Sequence, residues 1–424
     1  MSTTLTNWAR NYIYGAARVH RPASVAELAE LVAASPRLKI LGTRHSFNDI
    51  ADTTGELVSL EKLNRILALD RSPSGATVTI EPGARYGELA HHLDAHGYAL
   101  PNLASLPHIS VAGACATATH GSGNDNRILA SSVRAIQVLL ADGSVRVFSR
   151  DGDVEAFDGA VVGLGGIGAI TKLTLDVLPT FDVHQRVYEA LPFSAAMEHF
   201  DLVTAVAYSV SLFTNWRSDS INQVWLKHRA SDAVGDALLT SLGATIATRR
   251  LHPIPGISAE NCTEQLGIPG PWHERLPHFR MEFTPSAGEE LQSEYFVPRE
   301  HAAAALTAID AMRDRIAPLL QISEIRTIAA DEFWMSPCYR RPSVAIHFTW
   351  RKDWPAVRTL LPTIEAQLAP FDARPHWGKL FTMEPVRLRG LYPRMNDFGE
   401  LARASDPLGK FRNAFLDRYV FAVA

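Results

Sequence analysis

The sequence predicts an α+β chain of two domains. Three observations carry this. Its 424 residues are more than one hydrophobic core normally serves. Residues 180–374 differ in character from both ends: they hold most of the tryptophans and long alternating strands, the pattern of a largely antiparallel sheet. Residues 101–130 are rich in Ala, Gly, Ser, Thr and His and poor in large apolar groups, so they cannot build a core alone. Such a stretch suits backbone packed closely against a ligand or a tight packing corner.

The elements follow in order. Ser24-Val-Ala-Glu27 is a capping box, and Val25, Leu28, Leu31 and Val32 after it have helical spacing. Lys39–Gly42 reads as a short strand running into a turn. Leu57–Leu60, Ile66–Leu69 and Ala76–Glu81 are short β segments, and Pro82-Gly83 breaks the last before a helix over Tyr86–His96. Val133–Leu140 and Ser144–Phe148 flank Asp142-Gly143, a hairpin signal. Gly163–Gly168 leads into the strand Ile170–Val177, which Pro179 ends. In the middle, Asn222–His228, Gln292–Val297, Leu319–Ile328 and Ser343–Trp350 read as strands and Arg299–Arg315 as a helix. Residues 230–290 are Pro-rich and irregular.

Composition excludes several classes. The chain carries 41 basic and 45 acidic residues, a net charge of −4, so no field grips nucleic acid or an anionic membrane. No run of about 18 apolar residues spans a bilayer, and the first residues lack the apolar segment and cleavage site of a signal peptide. Cys115, Cys262 and Cys338 are odd in number and widely spaced, with no C-x-x-C pair. They read as free thiols in a reducing cytoplasm, with no metal site. Asn261-Cys262-Thr263 fits a glycosylation pattern by chance.

Two segments carry the chemistry. Leu41-Gly42-Thr43-Arg44-His45-Ser46-Phe47 is a strand–turn with a histidine at its tip, and turn amides with small polar side chains can cradle pyrophosphate. By itself it is equally a surface turn with an ordinary histidine. The second runs from Ser105 through Ser110, Gly113, Ala116, Thr117, Ala118 and Thr119 to His120 and ends in Thr-His-Gly-Ser-Gly123.

Together these segments resemble the FAD domain of the vanillyl-alcohol-oxidase superfamily, and within it the bacterial alditol (xylitol) oxidases. The likeness runs nearly end to end. It includes Asn7-Trp8, Leu103–Ser110, Tyr208–Phe213, Asn261–Gln265, Pro271–Arg280, Glu324–Arg326, His347–Thr349 and His376–Lys379. The resemblance implies a flavin domain built from residues 1–179 and 375–424 and a substrate-binding cap over 180–374. It implies FAD attached covalently to His45, with Gly168, Ile170 and His376 also at the cofactor. One position departs from it: many relatives have Gly where this chain has Arg44, which is costly if the turn needs φ > 0.

The middle strands can be read by parity. Along Leu319–Ile328, Leu320, Ile322, Glu324, Arg326 and Ile328 share a face, with Glu324 and Arg326 about 6.6 Å apart. Along Ser343–Trp350, Val344, Ile346, Phe348 and Trp350 oppose Ser343, Ala345, His347 and Thr349. The polar faces are either solvated or collected for binding several hydroxyls. If His376–Lys379 is a strand, its two ends point to opposite sides. His91 and His92, on a helix, read as structural or solvated groups.

A polyol has no charge, so hydrogen bonds must select it. By resemblance Ser105, Glu324, Arg326, Thr349 and Lys379 supply them. Oxidation of a primary alcohol would send a hydride to the flavin N5, with oxygen then reduced to hydrogen peroxide. Arg326 and Lys379 would stabilise an alkoxide-like oxygen, and His347 would assist. No base is identifiable unless Lys379 is desolvated. Ala104 is small, at the expected approach of oxygen. Alternatives are a sugar-1,4-lactone oxidase, a dehydrogenase passing electrons elsewhere, and a flavin-free carbohydrate-binding protein.

Overall fold

The computed structural model describes residues 5–421 except 74, 234, 236 and 282–287. Three short strands, β1 (Arg18–His20), β2 (Leu38–Leu41) and β3 (Glu56–Ser59), form a parallel sheet in the order β1-β3-β2. Helix α1 (Val25–Ala34) leads from the first to the second. Its cap is as predicted on one side: Ser24 accepts from the Glu27 amide. The Glu27 carboxylate reaches the Ala23 amide, one residue short of closing the box.

A second, antiparallel sheet follows. It comprises β4 (Ile66–Ser72), β5 (Gly75–Ile80), β6 (Tyr98–Ala99), β7 (Val133–Leu139), β8 (Val145–Ser149) and β9 (Ala169–Pro179). The Asp142-Gly143 hairpin joins β7 to β8, with Gly143 at φ 86° as such a turn requires. Between these strands lie α2 (Tyr86–Ala95) and the short small-residue helix α3 (Val111–Ala116).

Chain 182–375 folds into one nine-stranded antiparallel sheet. Its strands are β10 (Asp182–Pro192), β11 (Ser209–Thr214), β12 (Ser220–Arg229), β13 (Thr245–Ile246), β14 (Gly270–Pro271), β15 (Glu290–Pro298), β16 (Leu320–Ile328), β17 (Ser343–Arg351) and β18 (Arg374–Pro375). The order is β13-β10-β12-β11-β16-β17-β15-β18, with β14 on β10. One face packs on the helices Ala302–Asp310 and Trp354–Gln367 through Val344, Ile346, Phe348, Trp350, Leu306 and Leu361. The other face is also buried, so the central strands are not apolar inside and wet outside.

The last segment returns to the first domain's core. Trp377, Met395, Phe398, Phe415 and Leu416 pack in one cluster with Val78, Leu89, Val111 and Leu173. Lys39, buried on β2, ties the same parts together by donating to the carbonyls of Gly165 at 3.0 Å and Phe411 at 3.2 Å.

Two expectations are corrected, and the condition set on His376–Lys379 is not met. Arg299–Arg315 is not one helix; it is a 3-10 turn Arg299–His301 and helices Ala302–Asp310 and Arg313–Ile316. Leu320 does not share the face of Ile322, Glu324 and Arg326. A bulge gives β16 one extra residue between Leu320 and Ile322, which turns Leu320 into the core beside Ile325. His376–Lys379 is a turn rather than a strand: the Lys379 amide donates to the His376 carbonyl at 3.0 Å, so parity does not separate the two side chains.

Candidate active site

A cavity of about 950 Å³ runs between the large sheet and the first domain. Its first wall is the turn after β2. The turn is pinned from outside: Asn7 donates to the Ser46 carbonyl at 2.8 Å, and the Phe47 amide to the Gly378 carbonyl at 2.8 Å. Arg44 has φ 66°, so the turn does need the left-handed conformation that the sequence makes costly. Two hydrogen bonds hold it there, from the Trp8 amide to the Arg44 carbonyl at 2.8 Å and from the Arg44 guanidinium to the Thr6 carbonyl at 3.1 Å. The backbone N–H groups of Thr43, Arg44, His45 and Ser46 meet no protein acceptor among the described residues. That is the donor set an anionic group would occupy.

The second wall is α3 and its flanks. A Cβ added at either Gly42 or Gly113 would stand 2.9 Å from Ser110 Oγ, so turn and helix approach as closely as backbone allows. Leu41, Gly42, Thr43, Arg44, His45, Ser46, Phe47, Ser105, Ser110, Gly113, Ala116, Thr117, Thr119, His120, Gly168, Ile170 and His376 all line the cavity. Ala118 does not. At φ 57° its methyl turns into the hydrophobic core, fully buried. The residues present fit FAD: a long cleft with free amides, glycine contacts and little side-chain bulk at one end.

His45 sits at the turn tip, its ring stacked on Trp8 at 5.3 Å and its Nδ1 3.1 Å from Thr43 Oγ1. Burial, with Lys379 and His108 nearby, pushes it down to about 3, so the imidazole is neutral and retains a lone pair. His376 is likewise held to about 3 by burial. Its Nδ1 accepts from the Gly378 amide at 3.0 Å, which places its proton on Nε2.

The facing wall belongs to the large sheet, and its register sets the geometry. Glu294 of β15, His347 of β17, Glu324 of β16 and Phe213 of β11 lie in one cross-strand row; Gln292, Thr349 and Ile322 form the next. Arg326, two residues beyond Glu324, lies between two carboxylates, 3.0 Å from Glu294 and 3.5 Å from Glu324, and donates to Ser105 Oγ at 3.3 Å. Glu294 also faces His120 Nε2 at 3.1 Å and His347 Nδ1 at 3.5 Å. His120 Nδ1 faces the Gly121 carbonyl at 2.8 Å. Both ring nitrogens thus look at acceptors, and burial and Arg326 disfavour the His120 imidazolium against the pull of Glu294. Burial opposes ionisation of Glu294, but His120 and His347 outweigh it and hold the carboxyl well below its usual range. For Glu324, Arg326 and His278 do the same.

Lys379 Nζ donates to Gln292 Oε1 and sits 5.0 Å over the Phe47 ring. Burial pushes it down to about 8, the desolvation that its use as a base requires. His347 Nε2 is 3.2 Å from Thr349 Oγ1. Glu294, Gln292, His278 and Lys227 were not singled out from sequence. Glu294 and Gln292 had a signal, since they alternate with Ser293 and Tyr295 on the predicted strand Gln292–Val297; Lys227, on the predicted strand Asn222–His228, and His278, in the likeness segment Pro271–Arg280, had nothing that linked one to the other.

A model described as FAD binding domain matches residues 16–149, and one described as D-arabinono-1,4-lactone oxidase matches residues 287–419. An alditol oxidase of Streptomyces sp. (strain IKD472 / FERM P-14339) is 51% identical over 98% of this chain and 99% of its own. An L-gulonolactone oxidase of Mus musculus is 26% identical over 98% of each chain. Cholesterol oxidase from B. sterolicum shares the fold, with a TM-score of 0.78 at 13% identity over 98% of this chain and 96% of that one. By the identity shared along its whole length with the alditol oxidase, and by its FAD-binding domain, the chain belongs to the alditol oxidase family of the vanillyl-alcohol-oxidase flavoproteins and is an FAD-dependent oxidoreductase.

Proposed function

We propose that the enzyme oxidises the primary hydroxyl of an open-chain polyol such as xylitol or sorbitol to the aldehyde, with oxygen reduced to hydrogen peroxide. The observation that carries this is the two-row ladder on β15, β17 and β16. An alditol bears a hydroxyl on every carbon, and the ladder offers acceptors at Glu324 and Gln292 and a donor at Arg326, with Thr349 able to act as either and Lys379 beside the ladder. FAD held in the cavity would supply the acceptor for the hydride lost from the oxidised carbon and the route of both electrons to oxygen.

The protein's part is binding and proton handling. The reacting hydroxyl donates to Lys379 Nζ, which takes its proton as the free amine available near pH 8. Arg326, fixed by Glu294 and Ser105, supports the oxygen as negative charge develops. Glu324, Thr349 and Ser105 hold hydroxyls further along the substrate, and His347 supports the row through Thr349. The turn 41–47, the helix Val111–Ala116 and residues 375–424 complete the FAD site, with His45 the residue bonded to the flavin. A neutral, stacked imidazole at the tip of the turn supports that bond. A cytoplasmic setting fits three buried free thiols; among the described residues no helix is long and apolar enough to cross a membrane.

Peroxide production across xylitol, sorbitol, glycerol, gulonolactone and simple alcohols tests the substrate class. Xylitol or sorbitol should be clearly faster; the lactone ranking first would move the enzyme to the lactone oxidase branch. Acid denaturation tests the bond. Flavin should stay with the precipitate, and His45→Ala should release it. Colour wholly in the wild-type supernatant rules attachment out.

A further inference from the structure

Against Glu324 lies a pair that the reaction does not use directly: His278, at the cavity wall, and Lys227, behind it. Lys227 of β12 is fully buried, and its Nζ donates to the carbonyls of Leu276 and Pro277 and to His278 Nδ1 at 3.1 Å. His278 Nε2 lies 2.7 Å from Glu324 Oε1. The ring is gripped edge-to-face by Phe213 at 5.5 Å and Trp225 at 5.2 Å. Its own amide donates to the Ser105 carbonyl at 3.2 Å, so the ring is tied to both walls of the cavity.

We propose that Lys227 and His278 are positioning residues that orient Glu324 for substrate recognition. Glu324 sets the tautomer. Its carboxylate on Nε2 requires a proton there, which leaves the lone pair on Nδ1 facing Lys227 Nζ, and Nζ donates to it as to the two carbonyls. His278 therefore donates to Oε1 and fixes the carboxylate's plane. Glu324 Oε2, which meets no protein donor among the described residues, is left for a substrate hydroxyl. Burial supports the assignment: it takes His278 down to about 4, so the ring is neutral beside the Glu324 carboxylate. The inference rests on the proposed contact between Glu324 and the polyol.

The test is flavin reduction by xylitol in rapid-mixing experiments, on variants with full flavin content. Phe at position 278 fills the aromatic slot but bonds to neither neighbour; Gln can accept from Lys227 and donate to Glu324. His278→Phe should raise the half-saturating xylitol concentration about ten-fold, the weight of one charge-assisted hydrogen bond. His278→Gln should stay within a few-fold of wild type. Wild-type half-saturation in His278→Phe, with Glu324→Gln impaired, overturns the proposal, as does equal damage from Phe and Gln. If His278→Phe fails to fold, Lys227→Met replaces it, with a raised half-saturation expected and an unchanged one overturning. Nitrogen NMR of histidine-labelled enzyme gives a readout independent of substrate. A protonated Nε2 and a bare Nδ1 at His278 are expected, and the reverse overturns the proposal outright. If Glu324→Gln alone behaves as wild type while the tautomer is as expected, the reading of Glu324 has failed and the positioning role falls with it.

Discussion

The cofactor wall of the cavity is made of backbone and small side chains, whereas the opposite wall is made of buried charges. Gly42, Gly113, Ala116 and Thr117 present almost nothing but main chain and methyl or hydroxyl groups. Glu294, Glu324 and Arg326 face them from the large sheet, each with its charge met by a neighbour, and Lys379 joins them from the turn after the last strand, donating to Gln292. The contrast teaches where each wall is vulnerable. A surface that fits by close approach fails when an atom is added. A network of paired charges fails when one is removed, because the partner is left buried and uncompensated.

The largest effects should come from removing either basic side chain at the reacting hydroxyl. Lys379→Met and Arg326→Met should each slow flavin reduction at saturating xylitol by about a hundred-fold or more. Glu324→Gln should act chiefly on half-saturation, since its contact exists before and during reaction alike. Wild-type rates in both Lys379→Met and Arg326→Met would sink the distinction between reacting and holding groups. The wild-type rate should also climb as pH rises through about 8, where burial leaves Lys379, and then level off. A rate that falls over that range means Lys379 works as the ammonium.

A smaller effect is expected on the other wall. Alanine favours a helix over glycine by about 1 kcal/mol, yet Gly113→Ala should lower the flavin incorporated, because its methyl meets Ser110 Oγ. Overpacking of this kind costs about 1–3 kcal/mol. Adding Ser110→Ala to the same chain should restore the flavin. Full flavin content in Gly113→Ala alone would show that close approach does not shape this wall.

The smallest effect concerns buried charge away from the chemistry. Burial brings Lys39 to about 7, from an ordinary 10.5 that the unfolded chain retains. Between those values the unfolded state binds a proton that the folded state does not, so stability should rise with pH from about 7 towards 10. Lys227 and Lys379, also lowered by burial, act in the same direction. Melting temperatures across that range should rise more gently in Lys39→Met, even though the variant is less stable overall. A slope identical to wild type means that Lys39 does not change its protonation on folding.

The cofactor wall was largely legible in the sequence because its residues are contiguous. A strand–turn with His45, and a run of small residues ending at His120, carry their geometry locally, and small side chains in a row leave few other uses. The exception is Ala118, where a single left-handed residue turns the methyl away from the cavity. The facing wall was legible only in part. Alternation placed Glu324 and Arg326 on one face and His347 and Thr349 on another, but a polar strand face reads the same whether it meets water or a cavity.

Sequence by itself determined the α+β class, the family likeness and the two segments that line the first-domain wall of the cavity, because each depends on periodicity or on neighbours along the chain. Only the tertiary structure decided what those groups touch. Strand order brought Glu294 opposite His347 and His347 opposite Glu324. One extra residue in β16 sent Leu320 to the core, and a turn put His376 and Lys379 on the same cavity. Lys227 and His278 lay on a predicted strand and in a segment of the family likeness, but nothing along the chain paired them. They are 51 positions apart, and a lysine on a strand declares its role only when folding removes its water and leaves an imidazole and two carbonyls in its place.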